Sequence, residues 1–268
     1  MDFSALLCVY IKDKPEWFYE TLRSLSLQAK KANEIILIID GSISKKIEII
    51  IKEYQKTLPI KVFRNLKNQG LAFSLNKGLS LCSNELVARL DSDDIALPHR
   101  FEKQINFMLK NPATTVLGGS INIINYQSKI IGKRLYPKSY EAIKKGMWRN
   151  TIAHGTVMYR KTKILKEGAY NIKCRRGQDY DLWFRLLKKG EILENLDEII
   201  GAWRYEPDDF FKSSFKQKLQ QVIIGFKGTR SIGLPLWKQF ICLAPLIPYL
   251  LPKFLAGFYM KLKNYLHN

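Results

Sequence analysis

The chain has 268 residues, 46% of them hydrophobic, which is enough to bury a sizeable core and excludes a mainly disordered protein. Lys and Arg outnumber Asp and Glu by 44 to 24, and the formal net charge of +20 favours polyanionic partners such as nucleic acid, anionic lipid headgroups or diphosphates. The basic residues are spread along the whole chain, so charge alone does not select among these partners.

The cysteines and the start of the chain indicate a reducing compartment. Cys8, Cys82, Cys174 and Cys242 lie far apart and form no CxxC pair, which argues against a zinc site and against a disulfide framework. The chain begins with a strand-like run and not with the basic region that opens a signal peptide. We therefore predict a cytosolic or cytosol-facing protein.

The first third of the chain predicts strands that alternate with helices. Short apolar runs predict buried strands, and apolar residues at helical spacing predict the helices between them. The strands are predicted at residues 3–10, 34–39, 60–64 and 86–90, and the helices at 17–28, 45–57 and 72–81. Such alternation is typical of an open, mainly parallel α/β sheet.

Regular elements continue beyond residue 95, with a less periodic stretch between them. A helix is predicted at 98–110, a strand at 115–124 and a strongly amphipathic helix at 179–188. The region 125–175 contains Gly132, Pro137, Gly146 and Gly155, and it predicts loops and short strands.

From about Leu234 the sequence becomes apolar and aromatic. Pro235, Pro245, Pro248 and Pro252 interrupt it, so it does not offer the 20 or so apolar residues of a spanning helix. A kinked segment in the membrane interface is favoured over a tail packed on the core. Its lysines (Lys238, Lys253, Lys261, Lys263) would face headgroups and its aromatic side chains (Trp237, Phe240, Phe254, Phe258) would be embedded.

Acidic residues follow two of the predicted strands. Asp40 ends one strand, and Asp91, Asp93 and Asp94 follow another. Open α/β sheets bind ligands at the carboxyl ends of their strands, and clustered carboxylates repel one another unless a cation compensates them. The cluster therefore predicts a Mg²⁺ or Mn²⁺ site that neutralises a diphosphate, with a solvated loop or a helix N-cap as the alternative.

Six segments follow one another in order within roughly residues 3–205: FSALLCVYIKD, EIILIIDGS, KNQGLAFSLNKGL, VARLDSDDIALPHRFEKQ, AHGTVMYRK and GQDYDLWFRLLKKG. Together they resemble family 2 glycosyltransferases with the GT-A nucleotide-sugar fold. Each motif alone is weak, but the ordered set is specific. The branch it most resembles is the bacterial exopolysaccharide and O-antigen type that includes amylovoran and β1,3-hexosyl transferases.

The resemblance implies a Rossmann-like α/β fold, with a mainly parallel sheet flanked by helices and an amphipathic helical tail. Residues 1–205 would form the GT-A domain, with a nucleotide-sugar-binding part at 1–95 and an acceptor-binding part at 96–205. Residues 206–268 would be the helical, membrane-associating C-terminal tail.

The resemblance also assigns donor-site residues. Asp40 would contact uracil or ribose, and the strand end at Val9 and Tyr10 would form the base pocket. Asp91 and Asp93 match the DxD positions for ribose and metal, and Asp94 would share the metal. The segment that closes over the diphosphate side is matched by Asn68, Gly70, Asn76 and Arg89. An ordinary turn before a helix is the alternative for the segment at Asn68.

The acceptor side follows in the same way. The family places its general base just before an LWxRL-type helix, and the matching residue here is Asp179. Gln178 replaces the usual Glu beside it. The alternative role of Asp179 is that of a helix N-cap. Asp181 is the less favoured base, and the acceptor site would be lined by His154, Gln178, Asp181 and Glu102. His154 matches an acceptor-site position, although Gly155 replaces a common Pro, and Glu102 lies one turn into the helix after the acidic cluster.

The function implied is inverting transfer of a hexose, Gal or Glc, from a UDP-sugar with Mn²⁺ or Mg²⁺. The acceptor would be a lipid-linked sugar such as GlcNAc-diphospho-undecaprenol in O-antigen, capsule or exopolysaccharide synthesis. The enzyme would act peripherally, attached to anionic lipid at the cytoplasmic face of the inner membrane, and would bind no nucleic acid. A glycoside hydrolase, which needs two flanking carboxyl groups, and a basic nucleic-acid-binding module are the alternatives.

Overall fold

The protein is described by a computed structural model over residues 1–205 and 214–250. The strands are β1 (Phe3–Val9), β2 (Glu34–Asp40), β3 (Ile60–Asn65), β4 (Leu86–Arg89), β5 (Ile95–Ala96), β6 (Thr114–Ile124), β7 (Ile130–Arg134), β8 (Met158–Arg160) and β9 (Ile192–Arg204).

The helices lie between and after these strands. They are α1 (Pro15–Ser26), α2 (Lys45–Tyr54), α3 (Leu71–Leu81), α4 (Arg100–Lys110), α5 (Tyr140–Gly146), α6 (Lys161–Lys166), α7 (Gln178–Lys188), α8 (Phe215–Ser231), α9 (Leu236–Ile241) and α10 (Ile247–Leu250). Short 3-10 helices occupy Met147–Arg149, His154–Thr156 and Ala244–Leu246.

The described strands form one sheet in the order β3-β2-β1-β4-β8-β6-β9-β5, and β7 pairs with β6. The pairs β3-β2, β2-β1 and β1-β4 are parallel, whereas β8 runs antiparallel to both β4 and β6. The predicted α/β fold is confirmed, and the sheet is parallel in its first half and mixed in its second. The strand order reverses at β1, and ligands bind at such a switch point in open sheets.

The long predicted elements are present, and the irregular middle of the chain contains more helix than expected. Helices predicted at 17–28, 45–57, 72–81, 98–110 and 179–188 correspond to α1, α2, α3, α4 and α7. The region 125–175, expected to hold loops and short strands, contains β7 and β8 but also α5 and α6. Strand β9 was not predicted.

The core lies on both faces of the sheet because alternate residues of a strand point to opposite sides. On β1, Leu6 packs on one side with Leu75 of α3 and Trp183 of α7. Ala5 and Leu7 pack on the other side with residues of α1, α2 and α4. Strand β2 is buried at every position, as its continuous apolar run predicts.

Helix α8 packs against α7 through small residues. A Cβ atom on Gly228 would lie 2.0 Å from the ring of Phe184, and one on Gly225 would lie 3.2 Å from Tyr180. Only glycine allows so close an approach of the two helices. Helix α8 belongs to the stretch predicted as a tail, and the predicted domain boundary at 205/206 borders the undescribed residues 206–213.

The predicted interfacial residues are partly within the described chain. Trp237 and Phe240 are 56% and 59% exposed on α9. Pro252, Lys253, Phe254, Phe258, Lys261 and Lys263 lie outside the described residues. Across 1–205 and 214–250, no helix combines the length and apolarity needed to cross a bilayer.

Candidate active site

The ends of β1, β2 and β4 bring the predicted acidic residues to one edge of the sheet. Val9 ends β1, Asp40 ends β2, and Arg89 ends β4 two residues before Asp91. Val9 is buried, while the neighbouring Tyr10 is 38% exposed. The parallel pairing of these strands explains the convergence, because their carboxyl ends meet at the same edge.

Arg89 lies beneath the acidic cluster and is only 2% exposed. Its two terminal nitrogens donate to the two carboxylate oxygens of Asp91. Burial opposes the charge of Arg89, but the adjacent Asp91 outweighs it, so the pKa of the guanidinium is raised. We predicted that Arg89 contacts the diphosphate; its side chain is instead committed to Asp91, and this geometry does not support the direct contact.

Asp93 and Asp94 follow in the turn after β4. Asp93 is half-buried, and burial together with Asp91 and Asp13 raises its pKa to about 7. Asp94 is 5% exposed; burial, then Asp93 and Asp91, raise its pKa well above the ordinary value. The helix N-cap that we considered for Asp94 is wrong, because His99 occupies the N-cap position of α4.

Asp13 joins the cluster from the loop between β1 and α1. Its carboxylate accepts a hydrogen bond from the Tyr10 backbone N–H at 2.9 Å. Burial raises its pKa to about 6, opposed by hydrogen bonds from Tyr10 and Ser92, and Asp91 raises it further. Asp13 was not predicted as a site residue, although it ends the FSALLCVYIKD segment. The available signal was an Asp two residues before the proline that begins α1.

Two buried arginines compensate part of this negative charge and were also missed. Arg100, 1% exposed, donates to the carbonyls of Arg89 at 2.7 Å and Gly155 at 2.8 Å. Burial lowers its pKa to about 9, against the opposing effect of Asp94. Arg204 donates from its backbone to Asp94 at 3.3 Å and from its side chain to the Asp93 carbonyl at 3.1 Å.

The donor chemistry of this edge suits a divalent cation. Carboxylates whose pKa values are raised by burial and by mutual repulsion regain their charge when a hard cation lies between them. The described residues offer no group of three His, Cys, Asp or Glu side chains that could hold a metal ion by themselves. One or two carboxylates, with phosphate oxygens and water as further ligands, is the arrangement that Mg²⁺ usually adopts.

Asp40 ties down the loop before α3. Its carboxylate accepts hydrogen bonds from the backbone N–H groups of Gln69 at 2.9 Å and Gly70 at 2.8 Å, and from Asn65 Nδ2 at 2.8 Å. Asn68 Nδ2 lies 3.4 Å from the Asp40 carbonyl. Asp40 therefore holds the segment from Asn68 to Gly70 in place. Contact of this segment with the diphosphate side, and direct contact of Asp40 with uracil or ribose, stay predictions.

Asn76 bridges α3 to the segment before α7. Its amide donates to the Tyr170 carbonyl at 2.8 Å and accepts from the Tyr170 N–H at 2.9 Å. We predicted a contact of Asn76 with the diphosphate side. Since both ends of the amide bind Tyr170, this geometry does not support that contact.

Asp179 is half-buried in the first turn of α7. The N-cap residue of this helix is Gly177, so the alternative role of Asp179 as an N-cap is wrong. Asn150 Nδ2 donates to Asp179 Oδ2 at 3.1 Å. Burial raises the pKa of Asp179, opposed by hydrogen bonds from Tyr180 and Asn150 and by the charge of Arg89.

Asn150 was not predicted as a site residue from the sequence. It adopts the left-handed conformation, with φ of 51°, and its buried Oδ1 atom has no hydrogen-bond partner among the described residues. A carboxylate accepts and does not donate, so the amide nitrogen must face Asp179 and the oxygen must point elsewhere.

The other predicted acceptor-side residues differ in their surroundings. Asp181 pairs with Arg185 at 2.9 Å, one helical turn further on, and Gln178 is 8% exposed. His154 Nε2 lies 2.8 Å from the Tyr170 hydroxyl, and burial, then Arg89, lowers its pKa well below the ordinary value. The acceptor roles of these three residues stay predictions.

Glu102 does not join the acidic cluster. It contacts His99 at 3.1 Å with half of its side chain exposed, whereas the buried face of α4 presents Arg100 and Gln104 to the site. Residues three or four apart share a helix face, so Glu102 lies on the opposite side from the cluster. We therefore drop Glu102 from the acceptor site.

Gly155 provides a steric test of the cluster. A Cβ atom at this position would lie 2.4 Å from Asp94 Oδ2 and 3.4 Å from Asp91 Oδ2. We expect Gly155→Ala to lower the free energy of unfolding by about 1–3 kcal/mol and to reduce activity, because the acidic turn has to move. Urea unfolding checks this. The stability penalty should shrink in an Asp94→Ala background; an equal penalty in both backgrounds would rule out the clash with Asp94.

Together, the α/β sheet, the acidic turn after β4 and the carboxylate on the helix before β9 define the class of GT-A glycosyltransferases. Residues 4–168 match the model for glycosyl transferase family 2. The chain is therefore a member of that family.

Curated relatives cover most of the chain. A glycosyltransferase of Haemophilus influenzae is 36% identical over 75% of this chain and 74% of its own length. The amylovoran biosynthesis glycosyltransferase AmsE of Erwinia amylovora is 34% identical over 77% of both chains. The Escherichia coli UDP-Gal:alpha-D-GlcNAc-diphosphoundecaprenol beta-1,3-galactosyltransferase is 32% identical over 77% of this chain and 75% of its own.

Solved structures agree on the fold. TarS of S. aureus superposes with a TM-score of 0.67 at 17% identity, covering 92% of this chain. This chain spans only 43% of the length of that TarS chain. A shorter TarS structure, in complex with UDP-GlcNAc, gives the same TM-score over 72% of its length. At this identity the likeness shows the GT-A fold alone.

Proposed function

We propose that this protein is an inverting hexosyltransferase that moves Gal or Glc from a UDP-sugar onto a lipid-linked saccharide in bacterial polysaccharide assembly. The names of the relatives support this choice: one acts in amylovoran biosynthesis, and another transfers from UDP-Gal to GlcNAc-diphosphoundecaprenol. The protein would work at the cytoplasmic face of the inner membrane.

The observation that carries the proposal is the carboxylate of Asp179, held by Asn150 and raised in pKa by burial. A base with a raised pKa is better matched to removing a proton from a hydroxyl. Of the two candidate bases Asp179 is favoured, since Asp181 is paired with Arg185.

The reaction follows from one base. The Asp179 carboxylate takes the proton from the acceptor hydroxyl. At the same time the hydroxyl oxygen attacks the anomeric carbon of the donor. The bond from that carbon to the UDP oxygen breaks, UDP leaves with the electron pair, and the new glycosidic bond has the opposite anomeric configuration.

The acidic turn would hold the donor. Asp91, kept in place by Arg89, is proposed to bind the ribose side, and Asp93 with Asp94 to hold Mn²⁺ or Mg²⁺. Such a cation, when bound, neutralises the charge that develops on the diphosphate leaving group. Val9 and Tyr10 at the end of β1 are proposed to border the base, with the loop held by Asp40 beside them.

A donor panel tests the proposal directly. The protein is incubated with radiolabelled UDP-sugars and Mn²⁺, with and without a GlcNAc-diphosphate lipid. We expect transfer from UDP-Gal or UDP-Glc, slow donor hydrolysis without acceptor, and loss of both in EDTA.

The two alternative functions have different signatures in the same assays. Sugar release from a nitrophenyl glycoside in EDTA would indicate a hydrolase. Salt-sensitive binding to random DNA without any UDP-sugar turnover would indicate a nucleic-acid-binding protein.

The pKa of Asp179 gives a pH dependence. Only the ionised carboxylate accepts a proton, so kcat should fall as pH falls through a value above the ordinary 3.8. Asn150→Ala removes a hydrogen bond that favours the ionised form, so the acidic midpoint should move to higher pH. The kcat of both proteins is measured against pH at saturating donor and acceptor. An unshifted midpoint would show that Asn150 does not act on the base.

A further inference from the structure

The helices after the undescribed segment carry charge of one sign. Between Ser214 and Leu250 the sequence contains five basic residues and no Asp or Glu. They are Lys216, Lys218, Lys227, Arg230 and Lys238. Lys216, Lys227 and Arg230 are exposed on α8.

The same helices expose a row of large apolar side chains. Phe215, Leu219 and Ile223 recur every four residues along α8, and they are 47%, 36% and 44% exposed. They lie away from the glycine face that packs on α7. We call these three residues, together with Trp237 and Phe240 of α9, the docking face.

Helices α8 and α9 contact each other beside the docking face. The ring centroids of Phe226 on α8 and Phe240 on α9 are 6.0 Å apart in an edge-on arrangement. Trp237 is 56% exposed and Phe240 is 59% exposed. Exposed apolar side chains flanked by positive charge are typical of a site of interaction.

The helix that carries most of the docking face packs beside the helix that carries the proposed base. Helix α8 packs on α7, whose first turn carries Asp179. Gln220 of α8 donates to the Lys173 carbonyl at 3.1 Å, in the loop that leads to α7. That loop exposes Ile172, which is 62% accessible, beside the exposed Lys173 and Arg175.

We propose that the docking face binds the surface of an anionic bilayer and so brings the acceptor end of the active site to the membrane. Aromatic and aliphatic side chains enter the headgroup boundary while lysine and arginine meet anionic lipid. A second copy of the chain is a poorer occupant, because two faces without acidic residues would repel each other. The inference rests on the proposed function only for the lipid-linked acceptor.

The test is co-sedimentation of the full chain with vesicles. Phosphatidylglycerol vesicles should bind the protein at least tenfold more tightly than phosphatidylcholine vesicles, and salt should weaken the binding. Leu219→Glu/Ile223→Glu should reduce binding at least tenfold, because negative charge then meets anionic lipid. The matched control is Ile49→Glu/Leu66→Glu, at apolar positions 64% and 106% exposed elsewhere, which should bind like the unmodified protein.

Trp237→Ser provides a second variant in case the double glutamate variant fails to fold, and it should lower vesicle affinity several-fold. Donor hydrolysis is measured in parallel and should be unchanged, so failure of the docking face is distinguishable from failure of the proposed reaction. Unchanged vesicle binding in the α8 or α9 variants would overturn the proposal. The proposal would also be overturned if these variants lost a dimer that light scattering detects for the unmodified protein, because a second copy would then cover the docking face. A lowered unfolding temperature with intact vesicle binding would overturn it as well, because the chain's own residues would then cover the face.

Discussion

Asp93→Ala is expected to lower sugar transfer by about 10³-fold while the protein stays folded. A cation at a diphosphate leaving group contributes several kcal/mol of transition-state stabilisation, and each 1.36 kcal/mol is tenfold in rate. The carboxylate of Asp93 is pushed to a pKa of about 7 by burial, Asp91 and Asp13. Removing it relieves that repulsion, so we expect no loss of stability at neutral pH.

Two measurements separate the roles of the cluster in this experiment. Transfer is assayed over a range of Mn²⁺ concentrations, and thermal unfolding is followed in the absence of metal. Glu102→Ala is the control in the same region of the chain, because Glu102 is exposed beside His99 and should leave activity close to normal. Full activity of Asp93→Ala at low Mn²⁺ would contradict the metal assignment.

Asp179→Asn is expected to reduce kcat by about 10²-fold or more and to leave UDP-sugar affinity nearly unchanged. The amide keeps the shape of the side chain but cannot take the acceptor proton. A loss of this size in kcat is typical of an enzyme that lacks its general base. Steady-state kinetics and donor binding by calorimetry check the two parts separately.

Asp181→Asn is the matched control for this variant. Asp181 lies on the same helix, carries the same charge and undergoes the same chemical change, but it pairs with Arg185. Its loss should cost only one partly exposed ion pair, less than about 1 kcal/mol of stability, and should leave kcat and UDP-sugar affinity nearly unchanged. A collapse of donor affinity in Asp179→Asn would instead make Asp179 a binding residue.

The sequence was sufficient to predict the elements whose patterns are local. Strand β2 is a single apolar run that is buried on both faces, and Asp40 marks its end. The acidic turn after β4 was found because three aspartates follow a short apolar strand. Their positions at the ends of strands, combined with the expected parallel sheet, were enough to predict that these residues lie at one edge of it.

The missed residues depend on long-range geometry. Arg100 begins an amphipathic helix and has the sequence context of a surface residue. It is nevertheless only 1% exposed, because it donates to the carbonyl of Arg89 at the end of β4 and to the carbonyl of Gly155 before β8. Asn150 reaches Asp179 from an irregular segment with a left-handed backbone. No periodicity signals either contact.

Strand β9 was missed for a different reason. It pairs with β6 through several register shifts, so its buried and exposed residues do not alternate regularly. Helix α8 begins at Phe215, within the stretch predicted as a helical tail, but its packing on α7 was not predicted because the marked change of composition comes only at Leu234.

The contacts of Asp40 have a consequence for the electrostatics of the donor site. In many α/β proteins the positive end of a helix dipole after the first strands receives the phosphates of a nucleotide. Here the backbone N–H groups of Gln69 and Gly70, at the start of α3, already face a buried carboxylate. An incoming diphosphate would meet a like charge at that helix end. In the proposed reaction, the countercharge for the leaving group would therefore come from the other side, where the acidic turn would hold the cation.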